Sequence, residues 1–343
     1  MKVLVIGAGA LGGLVGALLT EKGHEALLLT RTKAPRAIRI EGGAYGPDRV
    51  VPVRAETVAP PEMRPDLVII GVKTQDLAAA LHQHGAAFGE AVAQRGAGAS
   101  ADASSAPVVA LQNGLAQDEI VTAAVGPARA VAAVVALDAE HTQPGVVRCD
   151  RKGTLLIGAP RKDGRSAADR AAAILSEVVR VDPIDNVAGA RWTKLLVNLQ
   201  NVIPALTGLS YQETAKHPQL ARAVIRMVRE ARQVADAEKV TLAPLPWTNP
   251  MLLRALSRLP EAIATPLYAK RVEKVLGTKP AYGSTWQSMQ RGQSLETDHL
   301  NGEVVRRGRA RGVPTPVNAR AVELAAKGAP MSPDACAAAL LEA

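Results

Sequence analysis

The apolar residues of the first half of the chain come in short, nearly unbroken runs. Lys2–Ile6, His24–Leu29, Leu67–Val72 and Val108–Leu111 are such runs, each followed by glycine or polar residues. Runs of this length bounded by turn formers predict buried strands. Leu11–Lys22, between the first two, predicts a helix. Strands alternating with helices predict a parallel sheet with crossover helices. Ala130–Ala136, Gly145–Arg148 and Thr154–Ile157 extend the strand pattern.

After Asp182 the pattern changes. Ala188–Leu206, His217–Glu238 and Leu295–Arg311 show helical spacing without strand-like alternation. Ser332-Pro333-Asp334 has the form of a helix start, with serine at the cap and proline in the first turn. Two domains are expected: residues 1–182, a Rossmann-type α/β domain with a parallel sheet, and residues 183–343, an all-α domain. Between the strands, Gly85–Pro107 is rich in Ala, Gly and Ser. Its first part is compatible with helix, and Gly96–Ala106 reads as a mobile loop.

Composition narrows the class. The chain of 343 residues is 48% hydrophobic and 21% charged, a globular mixture long enough for two cores. Aromatics are only 2%, so the core must rest on Ala, Val and Leu. Cys149 and Cys336 give no disulfide framework and fit a reducing compartment. The first apolar stretch is interrupted by Gly7, Gly9, Gly12, Gly13 and Gly16 and has no cleavage pattern, so no signal peptide is read there. No stretch is long and uncharged enough to span a bilayer, and a cytoplasmic location is expected. The net charge of +9 admits nucleic acid, a membrane surface or a small anion as partner. The densest basic cluster, Arg306, Arg307, Arg309 and Arg311, has no interleaved aromatics for base stacking. It reads as a solvated helix face, and neither nucleic acid nor membrane is expected as a partner.

Gly7-Ala8-Gly9-Ala10-Leu11-Gly12 is a G-x-G-x-x-G sequence that follows the first strand and opens the first helix. That context makes it a dinucleotide-binding turn rather than a glycine-rich loop. Gly7 permits the tight turn, Gly9 lets backbone approach a pyrophosphate, and Gly12 allows close helix–strand packing. The helix N-terminus then offers N–H groups to the phosphate. At the end of the second strand stands Thr30-Arg31-Thr32-Lys33, where an NAD site would carry an acid. The Arg31 guanidinium suits a 2′-phosphate, which points to NADP(H). Lys73, in Val72-Lys73-Thr74-Gln75-Asp76, and Asn113, in Gln112-Asn113-Gly114, follow two further strands, where ligands bind in open α/β sheets.

Taken in order, these pieces resemble the ketopantoate reductase (2-dehydropantoate 2-reductase) family over nearly the whole chain. The resemblance continues through Pro144-Gly145 to Ile157-Gly158, Arg191-Trp192-Thr193-Lys194-Leu195, Asn198, Ser284, Glu296, Asn301-Gly302 and Gly312 to Asn318. It implies NADPH-dependent reduction of 2-dehydropantoate to pantoate, a step toward pantothenate and coenzyme A. It implies Lys194 as the catalytic lysine, Asn198, Ser284 and Glu296 at the substrate, and Lys73 and Asn113 by the cofactor. Three positions depart from the family pattern. Val202 stands where the family commonly has a second asparagine, with Asn201 one position earlier, and Thr214 and Ser288 replace another asparagine and an aspartate. The partner implied is a small 2-keto acid. A homodimer is one admissible assembly, and the sequence does not choose.

The residues themselves carry the chemistry. Reduction of a ketone creates an alkoxide, which needs a proton and a positive neighbour, and Lys194 can supply both. Lys194 and Asn198 are four apart and share a helix face. Asn201, seven from Lys194, falls on nearly the same stripe. Glu296 can orient Lys194 or accept a bond from a substrate hydroxyl. Taken singly, Lys194 could be a solvated lysine, Glu296 a first-turn charge and Ser284 a helix cap. No metal is expected, since the histidines lack H-E-x-x-H spacing, and no G-x-S-x-G elbow is present. Two alternatives stay open: a reductase of another branched 2-keto acid, and a non-enzymatic NADPH-binding sensor.

Overall fold

A computed structural model describes residues 1–31, 35–88, 105–292 and 295–342. Thr32 and Lys33, read beside Arg31, lie outside the described residues, as does most of Gly96–Ala106. The chain divides into two compact units, Met1–Val187 and Ala188–Ala343. Asp182 lies within the last strand of the first unit.

The first unit contains β1 (Lys2–Ile6), α1 (Ala10–Glu21), β2 (Glu25–Leu29), β3 (Ala37–Glu41), β4 (Arg49–Pro52), β5 (Arg54–Glu56), β6 (Leu67–Ile70), α2 (Leu77–His84), β7 (Val108–Ala110), α3 (Gln117–Val125), β8 (Ala130–Ala136), β9 (Glu140–Gln143), β10 (Val146–Arg148), β11 (Thr154–Gly158), α4 (Arg165–Ser176) and β12 (Arg180–Pro183). Eight strands form one sheet in the order β12-β11-β8-β7-β6-β1-β2-β5. From β8 to β5 every pairing is parallel, as the strand–helix alternation requires. The exception is β11, which runs antiparallel to β8.

Side chains of successive strand residues point to opposite faces. Val3, Val5, Leu67 and Ile69 therefore join a core with Leu14 and Leu18 of α1 and Ile174 of α4. Leu4, Ile6, Val68 and Ile70 join a second core with Leu77 of α2 and Val121 of α3. Both faces are covered, which is why the strands read as continuous apolar runs.

The sequence pattern did not reveal a second sheet, β4-β3-β10-β9. Its residues Ile38, Ile40, Val51 and Val147 lie in the same core as α1. β3 and β10 are parallel neighbours although more than a hundred residues separate them in the chain. Periodicity carries no information about a pairing that distant.

The second unit is helical: α5 (Val187–Asn198), α6 (Val202–Thr207), α7 (Tyr211–Lys216), α8 (Pro218–Ala237), α9 (Pro250–Arg258), α10 (Glu261–Leu276), α11 (Ser284–Gln290), α12 (Thr297–Arg311), α13 (Pro316–Lys327) and α14 (Pro333–Leu341). The long helix expected over Ala188–Leu206 is interrupted by a 3-10 turn, Leu199–Asn201. Ser332 caps α14 by accepting a bond from Ala335 N, with Pro333 in the first turn. Buried Glu230 of α8 accepts bonds from Val317 N (2.9 Å), Asn318 N (3.0 Å) and Asn318 Nδ2 (2.7 Å). These satisfy donors that the start of α13 would otherwise leave orphaned. The arginines of α12 are ion-paired: Arg306 meets Asp298 and Glu303, and Arg307 meets Glu303 and Glu238. The expected solvated basic face is thus largely neutralised. No helix among the described residues is long and apolar enough to cross a membrane.

Candidate active site

In the first unit Gly7 and Gly12 take the turn and the close packing that their spacing predicts. Gly7 has φ +97°, which favours glycine, and a Cβ there would lie 2.8 Å from Val72 N. A Cβ on Gly12 would lie 2.0 Å from Gly7 O, so helix and turn touch backbone to backbone. A Cβ on Gly9 would meet only Gly71 O, at 3.9 Å, which leaves the approach to the turn open. Gly9 is the cap residue of α1, no side chain caps that helix, and its first turn holds no acid. An uncapped helix N-terminus beside an open glycine fits the pyrophosphate of a dinucleotide. Gly71, at the end of β6, belongs to the same packing: its Cβ would fall 2.9 Å from Gly7 O.

The loops carrying Lys73 and Asn113 are stapled together. Gln112 Nε2 donates to Ile70 O (2.9 Å) and Val72 O (2.8 Å), and Thr74 Oγ1 donates to Asn113 O (3.1 Å). Buried Gln117 donates to Gly114 O (2.9 Å). Sequence reading missed the part of Gln117. The available signal was a glutamine opening a helix just after a glycine-bearing loop. Lys73 stands before a 3-10 turn, Thr74–Asp76, and both it and Asn113 are half-buried. Arg31 is exposed and lies 3.3 Å from the Asp76 carboxylate.

In the second unit, Lys194 lies on α5 between buried Thr193 and Leu195 and is itself half-buried. Thr193 Oγ1 lies 2.9 Å from Gly189 O and 2.7 Å from Ala243 O, and its single hydroxyl hydrogen serves these two carbonyls, which fixes this stretch of helix. Burial pushes the Lys194 ammonium down from its ordinary value to about 7. The Arg191 guanidinium, one turn earlier, pushes the same way, and the Glu296 carboxylate opposes them. An amine with a pKa near neutrality can both give and take a proton at physiological pH. A solvated lysine would not be shifted in this manner.

Glu296 is buried at the start of α12, and Ser284 Oγ of α11 donates to Glu296 Oε2 (3.4 Å). Ser284 is not a helix cap, because Gly283 occupies that position. The structure therefore groups Lys194, Glu296 and Ser284. Asn198, the last residue of α5, is half-buried one turn beyond Lys194.

Asn201 is placed differently from the expected stripe. The helix stops at Asn198, and a 3-10 turn advances about 120° per residue instead of about 100°. Asn201 thus sits about 60° further round than an unbroken helix would carry it. It is buried, and its Oδ1 accepts a bond from Tyr211 Oη (2.7 Å). Arg191, Tyr211 and Gly283 are site neighbours that sequence reading did not select. Of the departing positions, Val202, Thr214 and Ser288 are all buried, and Thr214 Oγ1 has no partner among the described residues.

Comparison with known proteins decides the family. The profile described as "Ketopantoate reductase PanE/ApbA" matches residues 3–162, and that of the "Ketopantoate reductase PanE/ApbA C terminal" matches residues 186–328. The chain belongs to the ketopantoate reductase family. Among solved structures, a PanE/ApbA family ketopantoate reductase from Ralstonia eutropha is 30% identical, with a TM-score of 0.73. The match covers 96% of this chain and 99% of that one. Among curated relatives, the 2-dehydropantoate 2-reductase of Halobacterium salinarum is 28% identical, covering 92% of this chain and 95% of the relative. That of Pyrococcus abyssi is 23% identical, covering 93% and 94%. D-mandelate dehydrogenase, solved with NADH and anilino(oxo)acetate, shares the fold at 21% identity and a TM-score of 0.77, covering 98% of this chain and 99% of that one. As a ketopantoate reductase family member the protein is an oxidoreductase that works with a nicotinamide cofactor.

Proposed function

We propose that this protein reduces a branched 2-keto acid, ketopantoate first among them, to the 2-hydroxy acid with NADPH. The observation that carries the reading is the Lys194–Glu296–Ser284 group, in which a lysine with a pKa near 7 stands beside a buried carboxylate. The nicotinamide, when bound, supplies a hydride to the keto carbon. Lys194 gives a proton from Nζ to the oxygen that becomes negative, so the ketone gains one hydride and one proton. Glu296 keeps that proton on the amine until it is needed. Asn198, Asn201 and Ser284 hold the substrate's polar groups. On the cofactor side, the turn Gly7 to Gly12 would hold the pyrophosphate and Arg31 the 2′-phosphate, and Lys73 and Asn113 would stand by the cofactor. The names of the curated relatives support ketopantoate as first choice. The family place supports a cytoplasmic location. A ketopantoate reductase from Staphylococcus aureus of the same fold is described as dimeric, which supports a homodimer.

A second reading, reduction of a different 2-keto acid, rests on Val202, Thr214 and Ser288. These put an apolar side chain and two hydroxyls where the family pattern carries amides and an acid. A sensor without turnover is disfavoured, because a binding protein has no use for a half-buried lysine held near neutrality. The test is loss of NADPH absorbance with ketopantoate beside other branched and aromatic 2-keto acids. Turnover of ketopantoate at the highest kcat/KM supports the first reading. Turnover of another keto acid alone supports the second. Cofactor binding without any turnover returns the sensor.

A further inference from the structure

The 3-10 turn after Asn198 is held from several directions within the second unit. Interrupting an α-helix frees carbonyl groups that must find other donors. Gln200 Nε2 donates to Val197 O (3.0 Å), and Asn301 Nδ2 from α12 donates to Leu199 O (3.2 Å). Tyr268 of α10 donates its phenol hydrogen to Gln200 Oε1, and Tyr211 of α7 donates to Asn201 Oδ1 (2.7 Å). In a chain with 2% aromatics, two tyrosines are placed on adjacent residues of one turn.

Tyr211 is held in its turn. Ser210 and Glu213 form a capping box at the start of α7, and Tyr211 N donates to Ala281 O (2.9 Å). The chain then passes so close that a Cβ on Gly283 would lie 1.8 Å from Tyr211 Oη and 3.2 Å from Asn201 Cγ. Only glycine lets the strand of chain leading to Ser284 lie on this pair. Burial pushes the Tyr211 phenol well above the usual tyrosine range, so it remains a neutral donor at any working pH.

A neutral phenol carries one hydrogen, and here it goes to the amide oxygen. The reversed amide would leave that buried hydrogen without an acceptor, at a cost. Asn201 is thereby fixed with its Nδ2 directed away from Tyr211, and nothing among the described residues accepts a bond from Nδ2.

We propose that Tyr211 is a positioning residue: it holds Asn201 as a one-way hydrogen-bond donor, and Asn201 Nδ2 reads the carboxylate of the 2-keto acid. This rests on the function proposed above. It also accounts for the asparagine standing one position before Val202. The 3-10 turn moves residue 201 round the axis, and Tyr211 anchors the amide in the new place.

The test uses the full-length protein with Tyr211→Phe, Gly283→Ala and Asn201→Asp. kcat and KM are measured for the best 2-keto acid and KM for NADPH, with binding of the 2-hydroxy acid followed by calorimetry. Tyr211→Phe should raise the keto-acid KM about tenfold, the loss expected for one neutral hydrogen bond, with kcat within about twofold. The NADPH KM should not move. Gly283→Ala retains both partners but separates them, and should give the same KM-only loss even if Tyr211→Phe folds poorly. Asn201→Asp replaces the donor by a second carboxylate and should weaken the keto acid about a hundredfold or more. Hydroxy-acid binding should weaken in parallel. Unchanged keto-acid KM in both Tyr211→Phe and Gly283→Ala, with active wild-type protein, overturns the proposal and leaves the reductase reading standing. Equal losses in kcat, or in NADPH KM, also overturn it, since they mark a general structural role. Absence of turnover by the wild type with every 2-keto acid overturns the reductase reading itself.

Discussion

The Arg31 guanidinium and the Asp76 carboxylate face each other across 3.3 Å, from the end of β2 to the turn before α2. An exposed pair of this kind contributes about 0–1 kcal/mol. A phosphate dianion makes a stronger, charge-assisted partner for the same guanidinium. Arg31 can therefore serve a 2′-phosphate, with Asp76 as a competitor. Arg31→Ala should raise KM for NADPH about tenfold or more and leave KM for NADH nearly unchanged. Asp76→Asn should lower KM for NADPH a few-fold. Equal effects of Arg31→Ala on the two cofactors would sink the assignment, and initial rates with each cofactor decide it.

Lys194 should give the reduction a pH dependence near neutrality. Its amine must be protonated to act as acid, so kcat/KM for keto-acid reduction, which reports the free enzyme, should fall as pH rises through about 7. The reverse oxidation should rise over the same window. Arg191→Met removes a repelling cation and should move the break upward, while Glu296→Gln removes the supporting anion and should move it downward. A profile flat from pH 6 to 9, about two units above the break, measured in both directions, would remove Lys194 from the proton transfer.

Lys194→Ala should lower kcat by about 10²–10⁴, the usual range for general-acid help. Binding of NADPH should survive, because the glycine turn and Arg31 belong to the other compact unit. Lys194→Arg should restore little, since guanidinium holds its proton too tightly. Lys194 also carries a stability cost. Its folded pKa is depressed, so the folded protein disfavours the charged amine below about pH 7, and the cost fades as pH rises from there toward the ordinary lysine value. Lys194→Met should accordingly raise Tm at pH 6 by a few degrees, on the order of 1 kcal/mol after allowance for its half-exposed position. The measurements are steady-state kinetics, fluorescence titration with NADPH and thermal melts. Near-normal kcat in Lys194→Ala would return Lys194 to a bystander.

Two glycines of the first turn should separate folding from binding. Gly12→Ala places a Cβ 2.0 Å from Gly7 O, so the turn or α1 must shift, and a loss of several degrees in Tm is expected. Gly9→Ala meets nothing closer than 3.9 Å and should melt normally. It fills the approach to the helix N-terminus, however, and should raise KM for either cofactor about tenfold or more. If Gly9→Ala binds NADPH and NADH as the wild type does, the pyrophosphate does not approach there.

The sequence by itself determined the parallel sheet and the glycine turn, and it marked Lys194 as a candidate. Runs such as Leu67–Val72 are apolar because both faces of a parallel sheet are covered, and that pattern is local. Gly7, Gly9 and Gly12 act within one turn, so their spacing alone carries their meaning. Lys194 stands out because it interrupts apolar neighbours on one helix. The tertiary structure decided whatever depends on residues far apart in the chain. The pairing of β3 with β10 leaves no periodic trace, so the second sheet was invisible. The pKa of Lys194 is set mainly by burial, and partly by a carboxylate about a hundred residues away. The break after Asn198 is stabilised by Tyr211, Tyr268 and Asn301, each from another helix, and helical periodicity runs straight through it. Propensity acts between neighbours, whereas the orientation of an amide such as Asn201 is fixed by whichever donor folding brings to it.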